Sequence, residues 1–207
     1  MSLTPVGDNI IQITRWRSVN AFLVREEDGF TLVDTTVGGG ADQLIAAARN
    51  AGAEIRRIAL THGHGDHVGS LDARIHAGEQ VVDGKPPGSW PKLKTTPDVR
   101  LTGGERIGSL EVVPTPGHTP GHVSFLDTRD RTIIVGDTFT SIGGLAVSNH
   151  FYLRFPLAAM ATWDKGKDLE SAKKLRELEP ATLVVGHGGP VRNPGPAMDK
   201  AISAAGG

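Results

Sequence analysis

The sequence contains no cysteine. Disulfides, thiolate metal ligands and a cysteine nucleophile are therefore excluded. No apolar run reaches the length of about 18 residues that a membrane-spanning helix needs. The opening Met1-Ser-Leu-Thr-Pro-Val-Gly-Asp8 lacks the basic and apolar segments of a secretory signal. Aromatic residues make up only 5% of the chain, too few for a surface on which bases stack. The formal net charge of −1 gives no field to recruit nucleic acid or an anionic membrane. No Gly-x-Ser-x-Gly segment is present, which removes a serine nucleophile elbow. These absences lead us to expect a cytoplasmic protein, monomer or homodimer, acting on a small molecule, with no nucleic-acid or membrane partner.

What the chain does contain is histidine set among glycines. Thr61-His-Gly-His-Gly-Asp-His67 places His62, His64, Asp66 and His67 within six positions, separated by Gly63 and Gly65. Glycine permits dihedrals that other residues avoid, so such a loop can curl and aim several ligands inward. Imidazole and carboxylate together suit zinc and neighbouring transition metals. The apolar run Ile55–Leu60 directly precedes this turn.

The 207 residues are enough for one domain with a full core, and no linker-like change of composition divides residues 1–207. Segments 9–14, 19–25 and 30–34 read as strands, with Glu26-Glu-Asp-Gly29 turning between the last two. Asp34 ends the third, either as a cap or turn residue or as a partner that orients a ligand histidine. Residues 41–50 have helical apolar spacing, with Gly52 as the C-terminal cap. A strand over 55–60 follows, then the ligand turn and a helix from Asp66 to His76, the last read as a surface histidine near the helix end. Residues 83–98 carry four prolines without periodicity and read as a long loop, in which Trp90 is either a peg or a substrate-facing wall.

Strand pairs are expected at 105–107 with 110–114, and at 123–126 with 132–135. Irregular structure is expected over 140–154 and an amphipathic helix over 162–178. A last strand at 182–185 and a short terminal helix after Pro194 complete the reading. The order of strands and helices argues for a layered α/β fold. His118, Asp137 and His187 each stand at a strand-to-loop junction, as does the 62–67 cluster. Ligands at corresponding strand ends can converge on one edge.

The segments His62-Gly-His-Gly-Asp-His67, Pro116-Gly-His-Thr-Pro-Gly-His122, Gly136-Asp-Thr138 and Gly186-His-Gly188, in this order, resemble the metallo-β-lactamase fold superfamily. The resemblance implies a four-layer αββα sandwich with a dinuclear centre. Two zinc ions per chain are expected, with iron or manganese as alternatives. His62, His64 and His118 would hold one metal, Asp66, His67 and His187 the other, and Asp137 would bridge them. That uses five of the eight histidines. His122 is assigned a structural hydrogen bond instead.

Two such ions about 3.5–4 Å apart can bring the pKa of a bridging water towards about 7 and supply hydroxide as nucleophile. Four positive charges, less two from Asp66 and Asp137 and one from hydroxide, leave a net +1 that favours an anionic intermediate. Relatives in this superfamily cleave glutathione thioesters, acylated homoserine lactones and β-lactams. The stretch after His187 runs only to Gly207, shorter than the helical segment with which glutathione thioesterases hold their substrate. Many lactonases place a tyrosine three positions beyond the bridging aspartate, where this chain has Thr140. A thiolate leaves unaided, whereas an alkoxide needs a proton donor, for which Tyr152, His150 and the Asp66/Asp137 pair are the candidates. Asp66, Asp137 and Tyr152 are thus the expected catalytic side chains. The expectation is an ester, thioester or lactone hydrolase. The alternatives are a mononuclear iron persulfide dioxygenase, an RNA-processing nuclease, or a metal-binding module without catalysis. The segment Gly143-Gly-Leu-Ala-Val-Ser148 does not match the dioxygenases, and the nuclease lacks its basic surface.

Overall fold

Parallel neighbours within otherwise antiparallel sheets set the positions of the functional side chains. The computed structural model describes residues 1–71 and 98–206. Two compact units divide them, one holding the first 71 residues and 98–101, the other 102–206.

The first unit is a five-stranded sheet, in spatial order β1 (Ser2–Val6), β2 (Ile10–Arg15), β3 (Val19–Glu26), β4 (Gly29–Val33) and β5 (Ile55–Ala59). The first four are antiparallel meander strands, whereas β4 and β5 run parallel, with Val33 opposite Ala59. Parallel neighbours need a crossover. Helix α1 (Ala41–Asn50) supplies it and buries Ala41, Leu44, Ala47 and Ala48. Gly52, at φ +98°, ends that helix by donating its N–H to Arg49. Leu23, Phe30, Leu32, Leu44, Ile58 and Leu71 lie in the unit's core. Because β4 and β5 share a direction, Asp34 and Thr61 leave the sheet at the same edge.

The second unit carries a six-stranded sheet. Its order is β13 (Val191–Arg192), β12 (Thr182–Val184), β9 (Thr132–Ile134), β8 (Val123–Asp127), β7 (Leu110–Pro114) and β6 (Arg106–Ile107). Here β9 and β12 are the parallel pair, with Ile134 opposite Val184. Strand β8 runs antiparallel to both β9 and β7. The β7–β8 turn therefore lies at the edge where β9 and β12 end. A small hairpin, β10 (Phe139–Thr140) and β11 (Ala146–Val147), follows. Helices α3 (Pro156–Ala161), α4 (Lys165–Glu177) and α5 (Gly195–Gly206) complete the unit. Ala172, Leu175, Met198 and Ala201 from α4 and α5 pack with Ile133, Phe139, Val147 and Leu183.

Several boundaries differ from the sequence reading. β1 was not expected; Pro5 lacks a donor, which an edge strand tolerates. The helix expected over 162–178 is α4, which starts later, at Lys165, while α3 before it was not expected. Thr162 is extended (φ −76°, ψ 122°), and the Asp164 side chain caps α4 by accepting from the N–H of Lys167. The segment after Thr140 holds β11, and β13 rather than β12 is the final strand. Of the helix expected from Asp66 to His76, the described residues hold α2 (Gly65–Val68), and 72–76 lie outside them. His76, Trp90 and residues 83–97 lie outside the described residues.

Candidate metal-ligand clusters

Where β5 ends, Asp34 collects the neighbouring polar groups. It is fully buried, and its carboxylate accepts the Thr61 N–H at 2.8 Å, the Thr61 hydroxyl at 2.8 Å and His67 Nδ1–H at 2.8 Å. Of its two expected roles, the one seen is orientation of a histidine, His67, that is a candidate ligand. Donating Nδ1–H to Asp34 leaves the lone pair of His67 on Nε2. His62 is fixed in the same way. Thr61 gives its one hydrogen to Asp34, so its oxygen accepts from His62 Nδ1 at 3.0 Å, and the His62 lone pair is on Nε2.

That Nε2 lies 3.1 Å from His64 Nδ1. Two nitrogens bound to one tetrahedral metal at about 2.0–2.1 Å would sit roughly 3.3–3.4 Å apart. The pair is thus pre-spaced for a shared cation. Ligand atoms of His62 and His67, and of Asp66 and His67, lie within 4.8 Å of one another. His62, His64 and His67 are buried and Asp66 is half-buried in the first turn of α2.

The glycines of this turn do not act as expected. Neither Gly63 nor Gly65 has positive φ; the left-handed residues are Asp34 (φ +59°) and Thr36 (φ +57°). The turn instead closes because His64 opens α2, its carbonyl accepting from His67 and Val68. A β-branched residue in left-handed conformation is strained. Arg15 restrains it by donating Nη1 to the Thr36 hydroxyl at 3.2 Å and to the Val37 carbonyl at 2.7 Å.

The second unit assembles its cluster from three turns. His118 comes from the β7–β8 turn, Asp137 from the end of β9 and His187 from the end of β12. Asp137 Oδ2 lies 3.6 Å from His118 Nε2 and 3.1 Å from His187 Nε2. His118 Nδ1 is 3.0 Å from the Thr162 hydroxyl. That hydroxyl directs its hydrogen to the carbonyls of Ser148 and Ala158, so it accepts from Nδ1–H, and the His118 lone pair is on Nε2.

His122 has the structural role expected of it. Its Nε2 accepts the Asp137 N–H at 3.1 Å, and Nδ1 donates to Thr115 at 2.9 Å. The ring thereby braces the backbone of a ligand without offering a nitrogen to metal. Gly188 and Gly117 permit close approach. A Cβ at Gly188 (φ +118°) would fall 2.2 Å from Ser141 Oγ, and one at Gly117 (φ +147°) 2.2 Å from Asp168 N. Beneath that second contact the Asp168 carboxyl is buried. Burial, followed by the charge of Asp137, holds it well above the usual carboxylate range.

Tyr152, expected as a proton donor, directs its hydroxyl to the Gly143 carbonyl at 2.6 Å. His150 is exposed. Sequence reasoning missed Thr61, Thr162, Phe155 and Asp168. Only Thr61 left a signal, since it adjoins the histidine whose tautomer it sets.

The profile of the metallo-beta-lactamase superfamily matches residues 14–73 and 72–187. The chain belongs to that superfamily. Its fold is the superfamily's α/β fold, and its His/Asp clusters mark it as a metal-dependent hydrolase within it. It is 42% identical over 210 residues to the uncharacterized protein YobT of Bacillus subtilis (strain 168), covering 90% of each chain. It is 30% identical over 184 residues to a hydroxyacylglutathione hydrolase of Rhodospirillum rubrum, covering 86% of this chain and 61% of that one. The crystal structure of TTHA1623 in a di-iron-bound form superposes with a TM-score of 0.67 at 26% identity, covering 89% of this chain and 94% of that one. Among the described residues no helix is long and apolar enough to cross a membrane.

Proposed function

We propose that the two clusters jointly hold a pair of divalent cations and that the protein hydrolyses the carbonyl of a small-molecule ester, thioester or lactone. His62, His64 and His118 would bind one ion, Asp66, His67 and His187 the other, and Asp137 both. Zinc is the metal the nitrogen-rich donor set favours, with iron or manganese as alternatives. The observation that carries the reading is the fixed tautomers. In His62, His67 and His118 one ring nitrogen donates to an oxygen of Thr61, Asp34 or Thr162, while His62 Nε2 lies 3.1 Å from His64 Nδ1 and His118 Nε2 3.6 Å from Asp137 Oδ2, among the other candidate ligand atoms. A likeness to a protein that binds two irons supports a pair rather than a single ion.

Bound cations would acidify water and polarise a carbonyl oxygen. The chain's own residues have separate tasks. Asp34 and the two threonines hold the imidazoles in one tautomer and aim them. Asp137 holds its place through the His122 bond to its N–H. Asp66, half-buried at the start of α2, would carry a proton to the leaving group. Tyr152 can share that task only by giving up the Gly143 carbonyl. A thiolate with a pKa near about 8.5 needs no such proton, whereas an alkoxide does. The likeness to a hydroxyacylglutathione hydrolase supports the thioester within the proposed class.

The test combines metal analysis of protein purified without added metal and an assay panel. The panel is a glutathione thioester, several lactones, a β-lactam and a phosphodiester. About two metals per chain with turnover of a carbonyl substrate is the expected result. One iron per chain without hydrolysis would overturn it. Tyr152→Phe should slow lactone opening more than thioester cleavage, and equal effects would remove Tyr152 from the mechanism.

A further inference from the structure

Large apolar side chains exposed to solvent are concentrated in one short stretch. Among the described residues Phe151, Leu153, Leu157, Met160 and Trp163 are exposed, Leu153 to 83% and Met160 to 68%. The remainder (Met1, Leu3, Trp16 and Val99) are scattered along the chain. Leu157 and Met160 stand three residues apart on α3 and share its outer face, while Ala158 and Ala159 are buried beneath. Isolated exposed apolar residues need no explanation, but a contiguous cluster marks a binding surface.

This stretch is fastened to two of the candidate metal ligands. At one end the Phe155 ring lies 4.9 Å from the His187 ring. At the other, Thr162 accepts from His118 Nδ1, and Trp163 donates its N–H to the His118 carbonyl at 3.1 Å. Just before Phe155, Tyr152 and Arg154 both donate to the Gly143 carbonyl, at 2.6 and 2.7 Å. Gly143 follows Ser141, whose N–H donates to the His187 carbonyl. A group whose carbonyl reaches these histidines therefore has α3 beside it.

We infer that the Phe151–Trp163 segment receives the apolar acyl chain of the substrate, with Leu157 and Met160 as specificity-determining side chains. This rests on the hydrolase reading above and narrows its substrate class to esters or thioesters of apolar acids. The size of the face favours this occupant. Six helical residues extend about 9 Å. That suits a medium-length acyl chain, whereas a stable protein interface needs about 800 Å² on each partner.

The test is a homologous series, acetyl to decanoyl thioesters of one thiol, on the metal-loaded protein. Burying a methylene gives at most about a fourfold gain, so kcat/KM should rise about two- to fourfold per methylene until the segment is covered. In the double variant Leu157→Ser with Met160→Ser the decanoyl-to-acetyl ratio should fall at least tenfold. Leu153→Ser, in the preceding loop, should lower it less. Using the ratio within each variant cancels any loss of fold or metal.

A binding measurement stands apart from turnover. Calorimetry should find decanoate tighter than butyrate in the parent and equal to it in the double variant. A flat series with equal binding of the two acids overturns the inference and leaves the hydrolase reading intact. Tighter decanoate without turnover at any length sinks the hydrolase reading and keeps the apolar site. A flat series in which the double variant loses dimerisation, or loses partition onto anionic vesicles, assigns the face to a second copy or to a bilayer and overturns the inference.

Discussion

The two units reach the same chemical end by different routes. Each embeds one parallel strand pair in an otherwise antiparallel sheet, β4 with β5 and β9 with β12, and places candidate ligands where that pair ends. The first unit then takes its histidines from a single run, Thr61–His67. The second recruits His118, Asp137 and His187 from three turns spread along the chain. In the first, local sequence supplies the cluster and one buried carboxylate, Asp34, organises it. In the second, tertiary pairing supplies the cluster, and its braces are dispersed among Thr162, His122 and Phe155. The lesson concerns failure. Damage to the first unit's organiser should spread through several ligands, whereas damage to a single brace in the second should stay local.

The largest effect tests whether both units are needed. His118→Ala or Asp137→Ala should abolish turnover and deplete bound metal, with the fold retained by circular dichroism. Full activity in either variant would mean that the run at 62–67 suffices alone. Next comes Asp34→Ala, which removes the acceptor for His67 and for Thr61 at once. Loss of one such supporting partner typically lowers metal affinity about 10–100-fold. Asp34→Ala should reach the upper end in a chelator competition, because two histidines lose their orientation. The threonines give the direct comparison. Thr61→Val breaks the His62 contact and one of the bonds to Asp34, whereas Thr162→Val releases His118 alone. About tenfold weaker metal binding is expected for Thr162→Val and a larger loss for Thr61→Val. The reverse order would refute the contrast between a shared organiser and separate braces.

How much of this was legible in the sequence follows the same division. The strands of the first hairpin and the helix Ala41–Asn50 were readable because their patterns are local. The three histidine-bearing motifs and Gly136-Asp-Thr138 marked the candidate ligands because residue type and spacing are what metal chemistry requires. Of the tautomer-setting partners, Asp34 was legible as one of two readings of its strand end, whereas Thr162 was not. Thr162 is buried far along the chain from His118, and nothing in its neighbourhood marks it. Its extended backbone also accounts for the late start of α4, since Thr162 cannot open the helix expected from that position. The curl of the ligand turn was credited to the backbone freedom of Gly63 and Gly65, neither of which takes positive φ. The structure places it at Asp34 and Thr36, where tertiary bonds such as Arg15 to Thr36 impose it.

The smallest effect concerns Asp168, under the β7–β8 turn. Burial and the nearby Asp137 raise its pKa well above the carboxylate norm, although the backbone N–H groups of His118 and Asn149 act in the opposite sense. A carboxyl whose folded pKa exceeds its unfolded pKa favours the folded state at low pH. That contribution is full below the unfolded pKa and is lost as pH rises through the folded value. Asp168→Asn keeps the shape and removes the ionisation. In chelator-treated protein its thermal midpoint should therefore match the parent's near pH 4 and exceed it by a few degrees at pH 8, the gap opening as pH rises. Bound cations beside Asp137 would favour the carboxylate and shrink that gap, so the same melts repeated with metal should bring the two proteins together. A gap independent of both pH and metal would show that packing against Gly117, rather than charge, decides how this residue supports the second cluster.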